Sequence, residues 1–213
     1  MKTKKPRILI FNSGSGSGFQ ELVENSRTGV LQADVVGLVT DKGTHKCLDR
    51  AMNLRIIFAS PMKIFDAQSY QDLVKYFGAD YVILSGWLKL VKGLDPRTTI
   101  NIHPGPLPQF GGKGMYGHHV HEAVIEAYKR GEITHSVVTM HFVTEEYDQG
   151  PVFFRYPVLI RPNDDADSLG SRVNKIEHGW QSFITNLVVT GQIRWDGKDP
   201  KSLVVPEFLK SFQ

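Results

Sequence analysis

The sequence holds a single cysteine, Cys47, so no internal disulfide can form and no cysteine-based metal site can assemble. That suits a reducing compartment. Long hydrophobic runs are missing too. After the basic start MKTKKPR, the apolar stretch ILIF is four residues long before Asn12 and Ser13 stop it. A signal peptide needs roughly 7–15 apolar residues there and a membrane helix about 20. We therefore expect a cytoplasmic protein with no membrane partner. A surplus of one charge is lacking as well: 25 Lys and Arg stand against 22 Asp and Glu, a net charge of +3. This is too small and too scattered to make a nucleic-acid surface. There is no internal repeat, low-complexity segment or obvious linker, so residues 1–213 are expected to form one domain. A chain of this length buries roughly 70% of its unfolded surface and needs no covalent staple.

What the sequence does have is short, unalternating apolar runs rich in Ile and Val: RILIF (7–11), VVGLVT (35–40), LRIIFA (54–59), DYVILSG (80–86) and TTINI (98–102). Strands covered on both faces read this way. Helical patterns lie between and after them, at 18–31, 46–53, 69–78, 117–130 and 165–189. In the third, Tyr70, Leu73, Val74 and Phe77 share one face. Two later runs, SVVTMHFV (136–143) and VFFRYPVLI (152–160), read as a hairpin across the acidic connection TEEYDQGP. The tail beyond residue 190 reads as extended and partly irregular. The pattern predicts an α/β fold: a doubly wound, mostly parallel twisted sheet with helices on both faces and an antiparallel C-terminal hairpin.

The first strand runs into NSGSGSG, Asn12 to Gly18. A glycine-rich turn between a strand and a helix N-terminus lets backbone N–H groups approach an anion that the helix dipole also favours. The spacing fits neither the dinucleotide fingerprint nor a P-loop, which favours a single phosphate. The simpler alternative is a turn that needs glycine for its backbone angles.

The fifth run ends in INIHPGPLP (100–108). Residues two apart on a strand project on one face, so Asn101 and His103 should point together into the crevice at the strand's carboxyl end. Pro104, Pro106 and Pro108 stiffen the exit. An amide N–H can stabilise an oxyanion, and an imidazole can donate or shuttle a proton. Glu145, Glu146 and Asp148 are candidates to orient the His, and a carboxylate there would favour the imidazolium. Against this stands a turn amide and a solvated histidine. His118, His119 and His121 invite a metal reading, but no carboxylate or cysteine completes a familiar spacing, and we expect no metal. His118 near a substrate phosphate is the better use of that cluster. His141, between Met140 and Phe142, reads as a packed strand histidine, and Trp87 as either core or ligand contact.

Taken in order, SGSGSG, LSGWLKLV (84–91), NIHPGPLP (101–108), MHFVTEEYDQGP (140–151) and IEH (176–178) resemble the phosphoribosylglycinamide formyltransferases, of the folate-dependent formyltransferase fold, over about residues 6–195. The resemblance implies transfer of the formyl group of 10-formyltetrahydrofolate to the primary amine of glycinamide ribonucleotide, in purine biosynthesis, by a monomer or homodimer. It implies Asn101, His103 and Asp148 as catalytic residues, with His103 as proton donor and Asp148 holding it oriented and protonated. It assigns the nucleotide substrate to Ser13, Gly14, Ser15, Gly16, Ser17, Gly18, Asn174 and Glu177. The folate falls to Trp87, Leu88, Lys89, Leu90, Val91, Asn101, Thr144, Glu145, Glu146, Tyr147 and Asp148. Related chemistries on the same scaffold are hydrolysis of 10-formyltetrahydrofolate and formylation of a nucleotide-linked amino sugar. The chain departs from the family where the loop often reads S-G-N-G-S-N: Ser15 and Gly18 replace the two asparagines. It also has Asn174 for a glutamine, and a longer segment at 110–121 that carries Lys113.

Overall fold

The computed structural model describes residues 4–42 and 45–212, apart from the side chain of residue 45. Seven strands form one sheet: β1 (Arg7–Phe11), β2 (Asp34–Val39), β3 (Phe58–Ala59), β4 (Tyr81–Ser85), β5 (Thr99–His103), β6 (His135–Phe142) and β7 (Val152–Leu159). Their order is β3-β2-β1-β4-β5-β6-β7. The five strands from β3 to β5 run parallel. β6 is antiparallel to both β5 and β7. The mostly parallel sheet and the C-terminal hairpin agree with the sequence reading. The antiparallel seam between β5 and β6 was not foreseen, and it shapes the site.

Five helices cover the sheet: α1 (Ser17–Thr28), α2 (His45–Asn53), α3 (Ala67–Phe77), α4 (His118–Lys129) and α5 (Ala166–Val189). Alternation along β1 shows the two layers. Ile8 and Ile10 pack with Phe19 of α1, Val124 of α4 and Leu169 of α5. Leu9 and Phe11 pack on the other face with Tyr70 and Phe77 of α3. Both sets are fully or nearly fully buried, which is why the strand reads as one unbroken apolar run.

Three boundaries differ from the sequence reading, each for a local reason. The run at 54–59 yields only two strand residues. Leu54 N–H and Ile56 N–H instead close the end of α2, donating to Arg50 O and Ala51 O at 2.9 Å each, with Arg55 in the left-handed region at φ 55°. α1 stops at Thr28 because Gly29 caps it at φ 86°. The tail is more ordered than expected: a bridge between Arg194 and Val204 encloses a short 3-10 helix, Pro200–Ser202, and a second, Glu207–Phe212, follows it.

β1 leads to β2 on one side, while β4 lies on the other. That reversal opens a crevice at the carboxyl ends of β1 and β4, where open α/β sheets take ligands.

Candidate active site

A cavity of about 480 Å³ fills this crevice. Its walls bring together Ser13 through Gly18, Trp87, Leu88, Asn101, His103, Tyr147, Asp148, Asn174 and Glu177. A second cavity, of about 320 Å³, is lined by Val91, Thr144 and Glu145 among others. Lys89, Leu90 and Glu146 line neither. Lys89 pairs with Asp41 at 3.7 Å and lies over the Phe65 ring. Leu90 contributes its carbonyl to Tyr70 OH at 3.1 Å.

The candidate catalytic residues Asn101 and His103 sit where β5 meets β6. The antiparallel register sets Asn101 opposite His141 and His103 opposite Thr139. Ile100 and Ile102 enter the core under α4 and α5, so Asn101 and His103 face the other way, as the period of two requires. Asn101 Nδ2 lies 3.0 Å from His141 Nε2 and 3.4 Å from Asp148 Oδ1. His141 Nδ1 lies 2.7 Å from Phe142 O. A carbonyl can only accept, so that nitrogen carries the proton and Nε2 takes the amide N–H. His141 is 1% exposed. It is a packed strand histidine, as read, but it also anchors Asn101. The signal for it was the antiparallel pairing of β5 with β6, which no local pattern announces.

His103 Nε2 lies 2.8 Å from Phe110 O and so carries the proton. Its other nitrogen, Nδ1, faces Asp148 Oδ2 at 3.9 Å. This corrects one expectation. Asp148 does pull the imidazole toward protonation, but burial pushes it down harder, and the His103 pKa falls below its ordinary value. The ring is neutral at pH 7 in this state.

Of the three acidic candidates, Asp148 is the one at the site. It adopts φ 56°, a conformation rare for a residue with a side chain. Gly112 N–H donates to its Oδ2 at 2.9 Å. Burial raises its pKa, but the neighbouring His141 and His103 rings and the Gly112 N–H outweigh it, and the carboxyl lies below its ordinary value. Glu145 instead accepts Gly93 N–H at 3.1 Å beside the second cavity.

At the far end of the crevice lies the glycine loop. Asn12 is buried and fixes it, its Oδ1 accepting Gly14 N–H at 2.9 Å and its Nδ2 donating to Ser85 O. Gly16 forms the N-cap of α1 at φ 80°, with no side chain capping the helix. α3 and α5, by contrast, are capped by Asp66 and Asp165. The first-turn N–H groups of α1 have no intrahelical acceptor, and Ser17 and Gly18 of that turn line the cavity. Arg50, unnoticed in the sequence, donates to Ser15 O at 3.1 Å. From α5, His178 Nε2 meets Ser17 Oγ at 3.1 Å. Glu177 is partly covered, yet crowded by protein. Desolvation raises its carboxyl to about 7 against the pull of Asn174, whose Nδ2 lies 3.4 Å from Glu177 Oε2.

The third wall is the segment before α4. Gly112, Gly114 and Gly117 all take positive φ there, and with Met115 and Tyr116 they border the cavity. His118 lines it too, paired with Glu122 at 3.3 Å and Asp167 at 3.1 Å. Among the described residues, no group of three or more His, Cys, Asp or Glu is arranged to hold a metal ion. Nor is any described helix long and apolar enough to cross a membrane.

Residues 6–186 match the family described as Formyl transferase. A phosphoribosylglycinamide formyltransferase, chloroplastic, of Arabidopsis thaliana is 34% identical over 203 residues, covering 90% of this chain and 68% of the relative. The protein of the same name from Vigna unguiculata is 34% identical over 206 residues, covering 90% of this chain and 64% of the relative. The chain thus spans about two thirds of the length of these plant relatives. Among solved structures, the phosphoribosylglycinamide formyltransferase of Bacillus halodurans superposes with a TM-score of 0.75 at 27% identity, covering 87% of this chain and 96% of that one. With its loop, its strand-end Asn and His, and its Asp across the sheet, this chain belongs to the formyl transferase family.

Proposed function

We propose that this protein transfers the formyl group of 10-formyltetrahydrofolate to the primary amine of glycinamide ribonucleotide. The observation that carries the reading is one continuous crevice. At one end is an uncapped, glycine-lined helix N-terminus; at the other, Asn101, His103 and Asp148 converge within hydrogen-bond or ion-pair distance. A phosphate at the first end leaves the substrate amine directed toward the second. The folate would lie against Trp87, Leu88 and Tyr147, which line the crevice with this centre.

The chemistry follows from which atoms are uncommitted. The amine lone pair attacks the formyl carbon, and negative charge develops on the formyl oxygen. Asn101 has two amide hydrogens. One is held by His141, while the long contact to Asp148 leaves the other to turn to that oxygen. His103 Nδ1 is the ring nitrogen not tied to a backbone carbonyl. It takes the proton that the amine loses and returns it to the folate nitrogen as the carbon–nitrogen bond breaks. Asp148 stabilises the transient imidazolium. Burial leaves the His103 ring unprotonated and free to accept the proton, and the nearby carboxylate stabilises the charged form that results.

We also take residues 1–213 as one formyltransferase unit acting in the cytoplasm on small molecules, as a monomer or homodimer. The test is release of tetrahydrofolate with and without glycinamide ribonucleotide. Release that depends on the amine supports transfer. Equal rates without it would make the protein a 10-formyltetrahydrofolate hydrolase.

A further inference from the structure

We infer that Gln181 is a specificity-determining residue that binds the substrate phosphate, supplying from α5 the side chain that the glycine loop lacks at Gly18. A Cβ built on Gly18 would lie 2.4 Å from Ser85 Oγ and 3.0 Å from Gln181 Oε1. Those two side chains therefore occupy the space that a loop side chain at this position would need. Ser85 Oγ donates to Gln181 Oε1 at 3.2 Å, which fixes the carbonyl end of the amide.

The other end is unspent. Gln181 is 1% exposed, and its Nε2 is buried without a hydrogen-bond partner among the described residues. Buried donors are nearly always paired, so an orphan of this kind calls for a ligand or water that completes it. Gln181 lines the same cavity as Ser13 through Gly18. It stands three residues after His178, which meets Ser17 Oγ at 3.1 Å, and four after Glu177, so these three share one face of α5, turned toward the start of α1. A position that served packing alone would be filled by an apolar side chain at no polar cost. An amide with one arm tied to Ser85 and its donor end unpaired suits a phosphoryl oxygen, which accepts and cannot donate.

This inference rests on reading the loop as a phosphate site, so the experiment separates the two. KM is measured for glycinamide ribonucleotide and for its dephosphorylated counterpart, glycinamide riboside, in the wild type and in Gln181→Met. The wild type should strongly prefer the ribonucleotide. In Gln181→Met the KM for the ribonucleotide should rise about tenfold or more, the loss expected for a hydrogen bond to a charged group. The KM for the riboside, the KM for the folate and kcat should change less than about twofold. The variant should melt within a few degrees of the wild type, because removing the unpaired buried donor offsets the loss of the acceptor for Ser85 Oγ. Where Met at this buried site prevents folding, Gln181→Glu carries the comparison. A carboxylate beside the phosphate should erode the same preference at least as far. A wild type that prefers the ribonucleotide, together with variants that keep the full preference, would overturn the role of Gln181 alone. A wild type with no preference would overturn the phosphate reading and this inference together.

Discussion

Asp148→Asn isolates the charge at the centre of the site. The substitution keeps the shape of the side chain, and asparagine tolerates the φ of 56° at this position better than most residues. One orientation of the new amide keeps its oxygen toward Gly112 N–H, so that hydrogen bond survives. Thermal unfolding should therefore stay within a few degrees of the wild type. Catalysis should not. Asp148 Oδ2 lies 3.9 Å from His103 Nδ1. Two unit charges at that distance attract by about 4 kcal/mol at an effective dielectric near 20, and this favours the imidazolium formed during transfer. Losing it should lower kcat roughly 10³-fold. The same loss has a spectroscopic sign. Burial already holds the His103 pKa below its ordinary value, and Asp148 is the main influence raising it. In Asp148→Asn the midpoint should fall further, read from the ring proton shifts of His103 across pH. A kcat within about tenfold of the wild type, or a midpoint that rises, would refute the reasoning.

Two further outcomes follow from the same geometry. A Cβ on Gly150 would lie 1.8 Å from Phe142 O. Backbone cannot yield as a side-chain tip can, so Gly150→Ala should cost about 1–3 kcal/mol in denaturant unfolding and depress activity by displacing the Asp148 turn. Glu177 has its carboxyl raised to about 7 from an ordinary 4.5. The folded state thus favours the protonated acid, and stability declines as pH rises through the window from 4.5 to 7. A fully enclosed carboxyl would lose about 3 kcal/mol over that shift. Solvent at the partly exposed edge of Glu177 reduces this to about 1 kcal/mol. Glu177→Gln should remove that slope and be the more stable protein at pH 8, while binding glycinamide ribonucleotide more weakly. A wild-type melting curve flat between pH 5 and 7 would contradict it.

Much of this architecture was written in local patterns. β1 and β4 are apolar on both faces because both faces are covered, and runs of that kind are visible without a structure. The same-face placement of Asn101 and His103 followed from the period of a strand alone. The contacts that escaped the sequence are those made by distant pairing. His141 reaches Asn101 only because β6 runs antiparallel to β5. Arg50 reaches Ser15, and His178 reaches Ser17, across 35 and 161 residues of chain. The protonation of His103 was misjudged for a related reason. Its carboxylate neighbour could be named from the sequence, whereas its near-complete burial could not.

The central claim is that a bond forms between the folate's formyl carbon and the nitrogen of the nucleotide amine. It is tested most directly by incubating the protein with ¹³C-formyl-labelled 10-formyltetrahydrofolate and ¹⁵N-amine-labelled glycinamide ribonucleotide, and following the ¹³C spectrum. A formamide carbon split by its directly bonded ¹⁵N should grow in step with tetrahydrofolate. Accumulation of unsplit ¹³C-formate in its place would contradict it.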